Sequence, residues 1–176
     1  MTTPTTVAVL GLGNVLLGDD GVGPFVIEML RAGYALPDSV SVTDVGTPGL
    51  GLPAYLSESD AVILVDAVCA SGEPGELRLY RRQEIDDVPL KPRVSPHDPA
   101  VQEALFLVDL AGCGPGELLL VGIIPEQTAV GAGLSKPVRR ACQPAIDAVL
   151  RELVRLGVPA VPRRAMDAPH IWWASA

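Results

Sequence analysis

Residues 7–23 read VAVLGLGNVLLGDDGVG, and this stretch decides the fold. Its first residues are apolar and β-branched, which is typical of a buried strand. A glycine-rich turn follows, and two adjacent carboxylates, Asp19 and Asp20, then precede an amphipathic helical pattern. Ligands of open α/β sheets bind just beyond the carboxyl ends of the strands. The chain therefore places acidic side chains where many α/β proteins place glycine and phosphate.

The rest of the chain alternates between strand and helix patterns. Strands are predicted over 6–10, 40–44, 61–66, 76–80 and 117–124, and helices over 21–32, 50–56, 100–110 and 137–156. Ser135 is expected to cap the last helix, which Gly157 ends. We expect the strand over 76–80 to be an antiparallel neighbour of the strand before it. The alternation predicts a mostly parallel sheet covered by helices on both faces, with residues 89–99 as an irregular loop.

Length favours one domain, because 176 residues can bury one substantial core and are marginal for two. We predict a single α/β domain over residues 1–157 and an extended tail over 158–176. The tail is proline-rich and carries Trp172 and Trp173. Exposed tryptophans are costly in water, so these two are expected to dock on this chain, on another copy or on a partner.

Composition excludes several classes of protein. A formal net charge of -8 opposes nucleic-acid binding. No apolar run has membrane-spanning length, and the first six residues lack a signal-peptide pattern, so we expect a cytoplasmic protein without a membrane segment. Short arginine pairs are interpreted as solvated surface. The cysteines Cys69, Cys113 and Cys142 have no metal-site spacing and are expected to be reduced, small buried residues.

The opening stretch also resembles part of a dinucleotide-binding fingerprint. Gly11 and Gly13 match its first two glycines, but Leu16 stands at the third position. A pyrophosphate would bind at the start of the following helix, where Asp19 and Asp20 would repel it. We expect Asp19 to cap that helix, which leaves Asp20 available for a ligand.

Two further residues are candidates for the same edge of the sheet. Asp66 ends the strand over 61–66, and His97 lies in the loop over 89–99. Taken singly, Asp66 could be a loop or helix cap and His97 a surface hydrogen-bonder. Together with Asp20 they form a set of two oxygen ligands and one nitrogen ligand, which suits Zn²⁺ or Ni²⁺ with open positions for water or substrate. A nucleophile based on Ser95 or Cys69 is poorly supported, because no G-x-S-x-G motif occurs.

Six short motifs follow one another along the chain: GLGNxLxxDDGVG at 11–23, DVGTPG at 44–49, VDA at 65–67, PGE at 74–76, SPH at 95–97 and VGIIPE at 121–126. In this order they resemble the motifs of a known family, the hydrogenase maturation endopeptidases. These proteases trim the C-terminus of the large subunit of nickel–iron hydrogenases. The resemblance covers about residues 7–162.

The resemblance implies both a fold and an activity. The implied fold is a single-domain three-layer α/β/α sandwich around a twisted, mostly parallel five-stranded sheet. The implied activity is cleavage of the nickel-loaded hydrogenase precursor, with Asp20, Asp66 and His97 contacting nickel that the substrate brings. Some relatives have glutamate where this chain has Asp20. Zinc or another divalent ion could occupy the site in the isolated protein.

Several alternatives remain open at this level. Nickel could polarise the scissile carbonyl or activate a water, or it could only position the peptide while Asp20 or Asp66 acts as the base. The chain could also be a related peptidase with another substrate, or a non-catalytic protein that binds the precursor. A nucleotide-binding oxidoreductase is disfavoured by the two acids. The residues 11–14 also resemble the opening of peptidyl-tRNA hydrolases, but no histidine precedes His97.

Overall fold

The computed structural model describes residues 5–87 and 101–175. All the predicted strands and helices are present, and three short elements over 34–35, 82–87 and 161–162 are added to them. The strands are β1 (Val7–Leu12), β2 (Tyr34–Ala35), β3 (Val40–Gly46), β4 (Ala61–Ala67), β5 (Leu77–Arg81), β6 (Glu117–Ile123) and β7 (Val161–Pro162). The α-helices are α1 (Val22–Gly33), α2 (Leu52–Leu56), α3 (Arg82–Asp87), α4 (Val101–Leu110) and α5 (Lys136–Arg155). The predicted loop over 89–99 lies outside the described residues.

A five-stranded sheet with the order β3-β1-β4-β6-β5 forms the centre of the molecule. β1 pairs in parallel with β3 and β4, and β4 pairs in parallel with β6. The prediction of a mostly parallel sheet is confirmed. The prediction that β5 pairs with β4 was wrong, because β5 pairs with β6, although the pairing is antiparallel as expected. The apolar strand β6 fills the position beside β4, which leaves the half-exposed β5 at the edge.

Helices cover both faces of this sheet. Alternate residues of β1 enter two separate apolar cores, as the period of a strand requires. Val7 and Val9 pack with α1 and α5, whereas Ala8 and Leu10 pack with α2 and α4. The arrangement is the three-layer α/β/α sandwich that was predicted. It places the carboxyl ends of β1, β4 and β6 side by side at one edge.

The ends of the longest helix agree with the sequence signals. Ser135 is the N-cap of α5, and its side chain accepts a hydrogen bond from the backbone N–H of Val138 at 3.5 Å. Gly157 follows the helix in a left-handed conformation with φ of 79°. These signals were reliable because each acts within one turn of helix.

The C-terminal tail lies against its own chain. β7 pairs antiparallel with β2, and the backbone N–H of Asp167 donates to the carbonyl of Ala32 at 3.0 Å. Trp173 is 6% exposed and Trp172 is 61% exposed. The two tryptophans were expected to dock on this chain, on another copy or on a partner. The structure shows that Trp173 is buried against this chain. The division into a domain over 1–157 and a tail over 158–176 stays a prediction.

Two surface expectations need correction. Cys142 is buried, and burial raises the pKa of its thiol to about 12, but Cys69 and Cys113 are exposed. Cys69 lies in the loop after β4 and Cys113 in the loop after α4. Neither loop is part of the apolar core, so a small apolar side chain there stays exposed. Arg81 is more than a solvated side chain, since it forms an ion pair with the buried Glu152. Among the described residues, no helix is long and apolar enough to cross a membrane.

Candidate functional site

A cleft of about 470 Å³ opens at the carboxyl ends of β1, β4 and β6. Its walls come from the turn after β1, the loop after β3, the end of β4 and the loop that joins β6 to α5. The last of these, residues 124–135, is called the β6–α5 loop below. This position is the one where open α/β sheets bind ligands. Asp20 and Asp66 both line the cleft.

Two glycines shape the turn that brings Asp20 to the cleft. Gly13 has φ of 128°, and a Cβ there would lie 1.7 Å from the backbone oxygen of Asp20. Gly23 lies at the start of α1, where a Cβ would come within 2.2 Å of the Leu12 carbonyl oxygen and 2.5 Å of the Val65 carbonyl oxygen. Gly23 therefore permits the close contact of α1 with β1 and β4. In the dinucleotide fingerprint the third glycine has this role, and in this chain Leu16 stands at that position. The repeated glycines at 21 and 23 were the signal available in the sequence.

Asp20 is half-buried and oriented by the preceding turn. Its Oδ2 accepts a hydrogen bond from the backbone N–H of Asn14 at 2.7 Å. The side chain of Asn14 fixes the same turn, because its Oδ1 accepts from the backbone N–H of Leu16 at 3.0 Å. Within the described ranges no hydrogen bond is formed by Oδ1 of Asp20, so this oxygen is available to a ligand.

Asp66 is the last residue but one of β4 and lies beside the cleft. It is half-buried, and its Oδ1 accepts a hydrogen bond from the backbone N–H of Ala67 at 2.8 Å. In the sheet, Val65 is paired with Gly11, so the ends of β1 and β4 are adjacent. The structure thus brings two of the three predicted ligands to one cleft. His97 lies outside the described residues, and within them no three metal-ligating side chains cluster.

The prediction that Asp19 caps α1 was wrong. The helix begins at Val22 after Gly21, and no side chain caps it. A 3₁₀ turn over Gly18–Gly21 directs Asp19 away from the helix and into the protein, where it is fully buried. Its Oδ2 accepts from the backbone N–H groups of Glu126 at 2.9 Å and Gln127 at 3.1 Å. Its Oδ1 accepts from the backbone N–H of Ser135 at 2.7 Å.

Backbone hydrogen bonds join the same two segments. The N–H of Gly18 donates to the carbonyl of Gly131 at 2.8 Å, and the N–H of Gly131 donates to the carbonyl of Leu16 at 2.9 Å. The N–H of Asp19 donates to the carbonyl of Gln127 at 3.0 Å. The turn that carries Asp20 is therefore fastened to the β6–α5 loop. Sequence reasoning missed this contact, because the two segments are more than 100 residues apart.

Comparison with known proteins identifies the family. A family model described as hydrogenase maturation protease matches residues 24–152. The hydrogenase 2 maturation protease of Escherichia coli strain K12 is 35% identical over 161 residues, which cover 91% of this chain and 98% of that protein. The chain belongs to the hydrogenase maturation protease family. The hydrogenase expression/formation protein HoxM of Azotobacter vinelandii is 37% identical over 164 residues, covering 93% of this chain and 79% of that protein.

This maturation protease has the same fold as a relative of known structure. The hydrogenase maturating endopeptidase HybD of E. coli superimposes with a TM-score of 0.84 at 35% identity, covering 90% of this chain and 98% of that one. The resemblance read from the motifs and the fold class are both confirmed. The ligand roles of Asp20, Asp66 and His97 stay predictions.

The geometry of this maturation protease does not support Cys69 or Ser95 as a nucleophile. Cys69 is exposed and lines the cleft, but no described contact activates its thiol. Ser95 lies outside the described residues, as His97 does. The cleft of the described chain is instead marked by carboxylates, which points to cation chemistry.

Proposed function

We propose that the protein is an endopeptidase that removes a C-terminal peptide from the nickel-loaded precursor of a nickel–iron hydrogenase large subunit. Asp20, Asp66 and His97 contact the nickel that the precursor carries. The observation that supports this proposal is the meeting of Asp20 and Asp66 in one cleft, at the edge of the sheet where ligands bind. Membership of the maturation protease family supports the choice of substrate.

Hydrogen bonds to the backbone orient both carboxylates, which supports a role for them as metal ligands. The backbone N–H of Asn14 donates to Asp20, and that of Ala67 donates to Asp66. Such outer hydrogen bonds orient a ligand and are a common feature of metal sites. Two carboxylate oxygens with one imidazole nitrogen suit nickel, and the same set can hold zinc or another divalent ion when no precursor is bound.

Recognition through the substrate's own metal makes cleavage conditional. A precursor with nickel offers a cation to Asp20 and Asp66, whereas a precursor without nickel leaves both carboxylates without that cation. The difference in binding free energy between the two precursors is then the basis of specificity. The enzyme would test whether the metal is inserted before it cuts the chain.

Two chemical routes are compatible with this arrangement. In the first, nickel polarises the scissile carbonyl or lowers the pKa of the water that attacks it. In the second, nickel only positions the peptide, and Asp20 or Asp66 accepts a proton from the attacking water. In both routes the attacking group is water, so no covalent intermediate with the enzyme forms.

The test measures the C-terminal mass of the precursor after incubation with the purified protein, with and without nickel. We expect cleavage of the nickel-loaded precursor only. Asp20→Ala, Asp66→Ala and His97→Ala should each lower the rate by about 100-fold or more. Asp60→Ala is the control, since Asp60 bonds to Thr6 at the opposite end of the sheet.

Three outcomes would contradict parts of the proposal. Wild-type rates in all three variants would refute the site. Equal cleavage of both precursors would refute recognition through nickel. An unchanged mass in every sample, together with binding of the precursor, would favour the non-catalytic alternative.

A further inference from the structure

We propose that Asp19 is a positioning residue that fixes one wall of the cleft relative to Asp20. The proposal rests on the proposed function. Asp19 and the three backbone N–H groups that it accepts, those of Glu126, Gln127 and Ser135, are called the Asp19 clamp below. The clamp joins the turn that carries Asp20 to the β6–α5 loop.

The carboxylate of Asp19 is buried, so the free energy of burying it depends on the groups that donate to its oxygens. It is 0% exposed, and burying a charged group is costly unless its oxygens are hydrogen-bonded. Within the described chain Asp19 forms no ion pair with lysine or arginine. Its charge is balanced by three N–H dipoles, one of which belongs to the N-cap residue of α5. The N-terminus of α5, which is the positive end of the helix dipole, stabilises the carboxylate further.

Backbone donors make the clamp a device for holding a loop in one shape. The N–H groups of Glu126 and Gln127 are adjacent, and both can reach Oδ2 of Asp19 only if this part of the loop curves around it. The residues that it curves, Glu126 to Thr128, line the cleft beside Asp20. The clamp therefore sets the distance between this wall and the carboxylate next to Asp19 in sequence.

The consequence for the reaction is a matter of alignment. Asp20 is expected to contact the metal of the substrate, and the wall over 126–128, which lines the same cleft, is expected to contact the peptide. If the two segments move apart, the peptide and the metal are no longer held in the productive geometry. Small misplacements of this kind lower the rate of the chemical step more than they lower binding.

The test compares Asp19→Asn with Glu152→Gln, the same chemical change at a second carboxylate that is buried in the described part of the chain. Asparagine keeps one carbonyl oxygen, so at least one of the three amides meets an NH₂ group in place of an acceptor. In Asp19→Asn we expect amide hydrogen exchange to rise by about tenfold at Glu126, Gln127 or Ser135. In Glu152→Gln the exchange of these amides should be unchanged.

Cleavage kinetics of the nickel-loaded precursor provide the second measurement, at a temperature where circular dichroism shows that each variant is folded. For Asp19→Asn we expect kcat to fall by about 10-fold to 100-fold with KM changed by less than about threefold. A purely structural role would lower thermal stability and leave kcat of the folded protein unchanged, as is expected for Glu152→Gln.

The proposal is overturned if exchange of the three amides does not rise, or if kcat of folded Asp19→Asn is within about twofold of the wild-type value. An equal fall of kcat in Glu152→Gln would overturn it as well. If the wild-type protein leaves the nickel-loaded precursor uncut, the proposed function fails, and the exchange measurement then decides the clamp by itself.

Discussion

Asp19 and Glu152 are the two charged residues that are buried in the described part of the chain, and they are held in opposite ways. In the described residues Asp19 accepts from backbone N–H groups of the β6–α5 loop and from no side chain. Glu152, on α5, accepts from the guanidinium groups of Arg81 on β5 and Arg155 one turn further along the helix. The first arrangement shapes a loop, whereas the second ties the last helix to the edge of the sheet.

The difference separates function from stability. Guanidinium donors carry charge, and they stabilise Glu152 as an ion. Burial alone would raise the pKa of Glu152, but the hydrogen bonds from Arg81 and Arg155 outweigh burial and lower it to about 2. The three donors to Asp19 are backbone N–H groups, which remain when their own side chains are substituted. These three hydrogen bonds to the β6–α5 loop therefore depend on the carboxylate of Asp19. We therefore expect changes near the cleft to affect activity, and changes near Glu152 to affect stability.

The strongest test of this separation is Gly13→Ala. The added Cβ would overlap the backbone oxygen of Asp20, at 1.7 Å, and would force a residue other than glycine to adopt φ of 128°. We expect the free energy of unfolding to fall by about 3 kcal/mol or more and cleavage by the folded fraction to fall by about 100-fold. Urea denaturation and precursor cleavage measure the two effects.

Gly112→Ala is the matched control for this substitution. Gly112 also has a positive φ, of 68°, but a Cβ there has no neighbour within 4 Å. Only the backbone penalty of about 1 kcal/mol is expected, without any change in cleavage. Equal effects of the two substitutions on cleavage would show that Gly13 does not control the position of Asp20.

Glu152→Ala tests the other half of the comparison. It removes the shared acceptor of two arginines that are each more than 40% exposed on their side chains. Because water can solvate the released guanidinium groups, we expect a loss of about 2 kcal/mol, below the range for a fully buried pair. Cleavage measured well below the melting temperature should stay within about twofold of wild type. A large fall in kcat would break the proposed separation.

The sequence was sufficient for the features that depend on near neighbours in the chain. The apolar run over 61–65 predicts a central strand, because a strand of a parallel sheet is covered on both faces and is apolar on both. Ser135 and Gly157 mark the ends of α5 because caps act within one turn. The two carboxylates Asp20 and Asp66 could be placed at one edge, since parallel strands all end on the same side.

The sequence was insufficient wherever the partner lies far along the chain. Asp19 precedes a helix, so local rules favour a cap, yet its acceptor oxygens are used by amides more than 100 residues away. The same holds for β5, whose proximity to β4 in sequence suggested a pairing that β6 prevents. In both cases a tertiary contact prevails over a local preference, which for a helix cap is about 1 kcal/mol.

The pH dependence of stability offers a finer test of the Glu152 site. Its pKa is lowered from an ordinary value of 4.5 to about 2. The stabilisation is therefore present above pH about 4.5 and is lost as the pH falls toward 2. Between these values the unfolding free energy of the wild type should decrease by about 1 kcal/mol more than that of Glu152→Gln. Parallel curves for the two proteins in urea denaturation at each pH would contradict this account.

The smallest expected effects concern the tail, which lies on α1 away from the cleft and so belongs with stability in this comparison. The chain has two tryptophans, of which Trp173 is 6% and Trp172 is 61% exposed. Trp172→Phe should therefore leave fluorescence at shorter wavelength than Trp173→Phe does. Among the described residues the buried Nε1 of Trp173 has no hydrogen-bond partner, so Trp173→Phe removes an unsatisfied donor and also some apolar contact. Because the two effects oppose each other, the unfolding free energy should change by less than about 1 kcal/mol. Identical emission maxima, or a loss of cleavage in Trp173→Phe, would show that the tail is placed differently or contributes to the cleft.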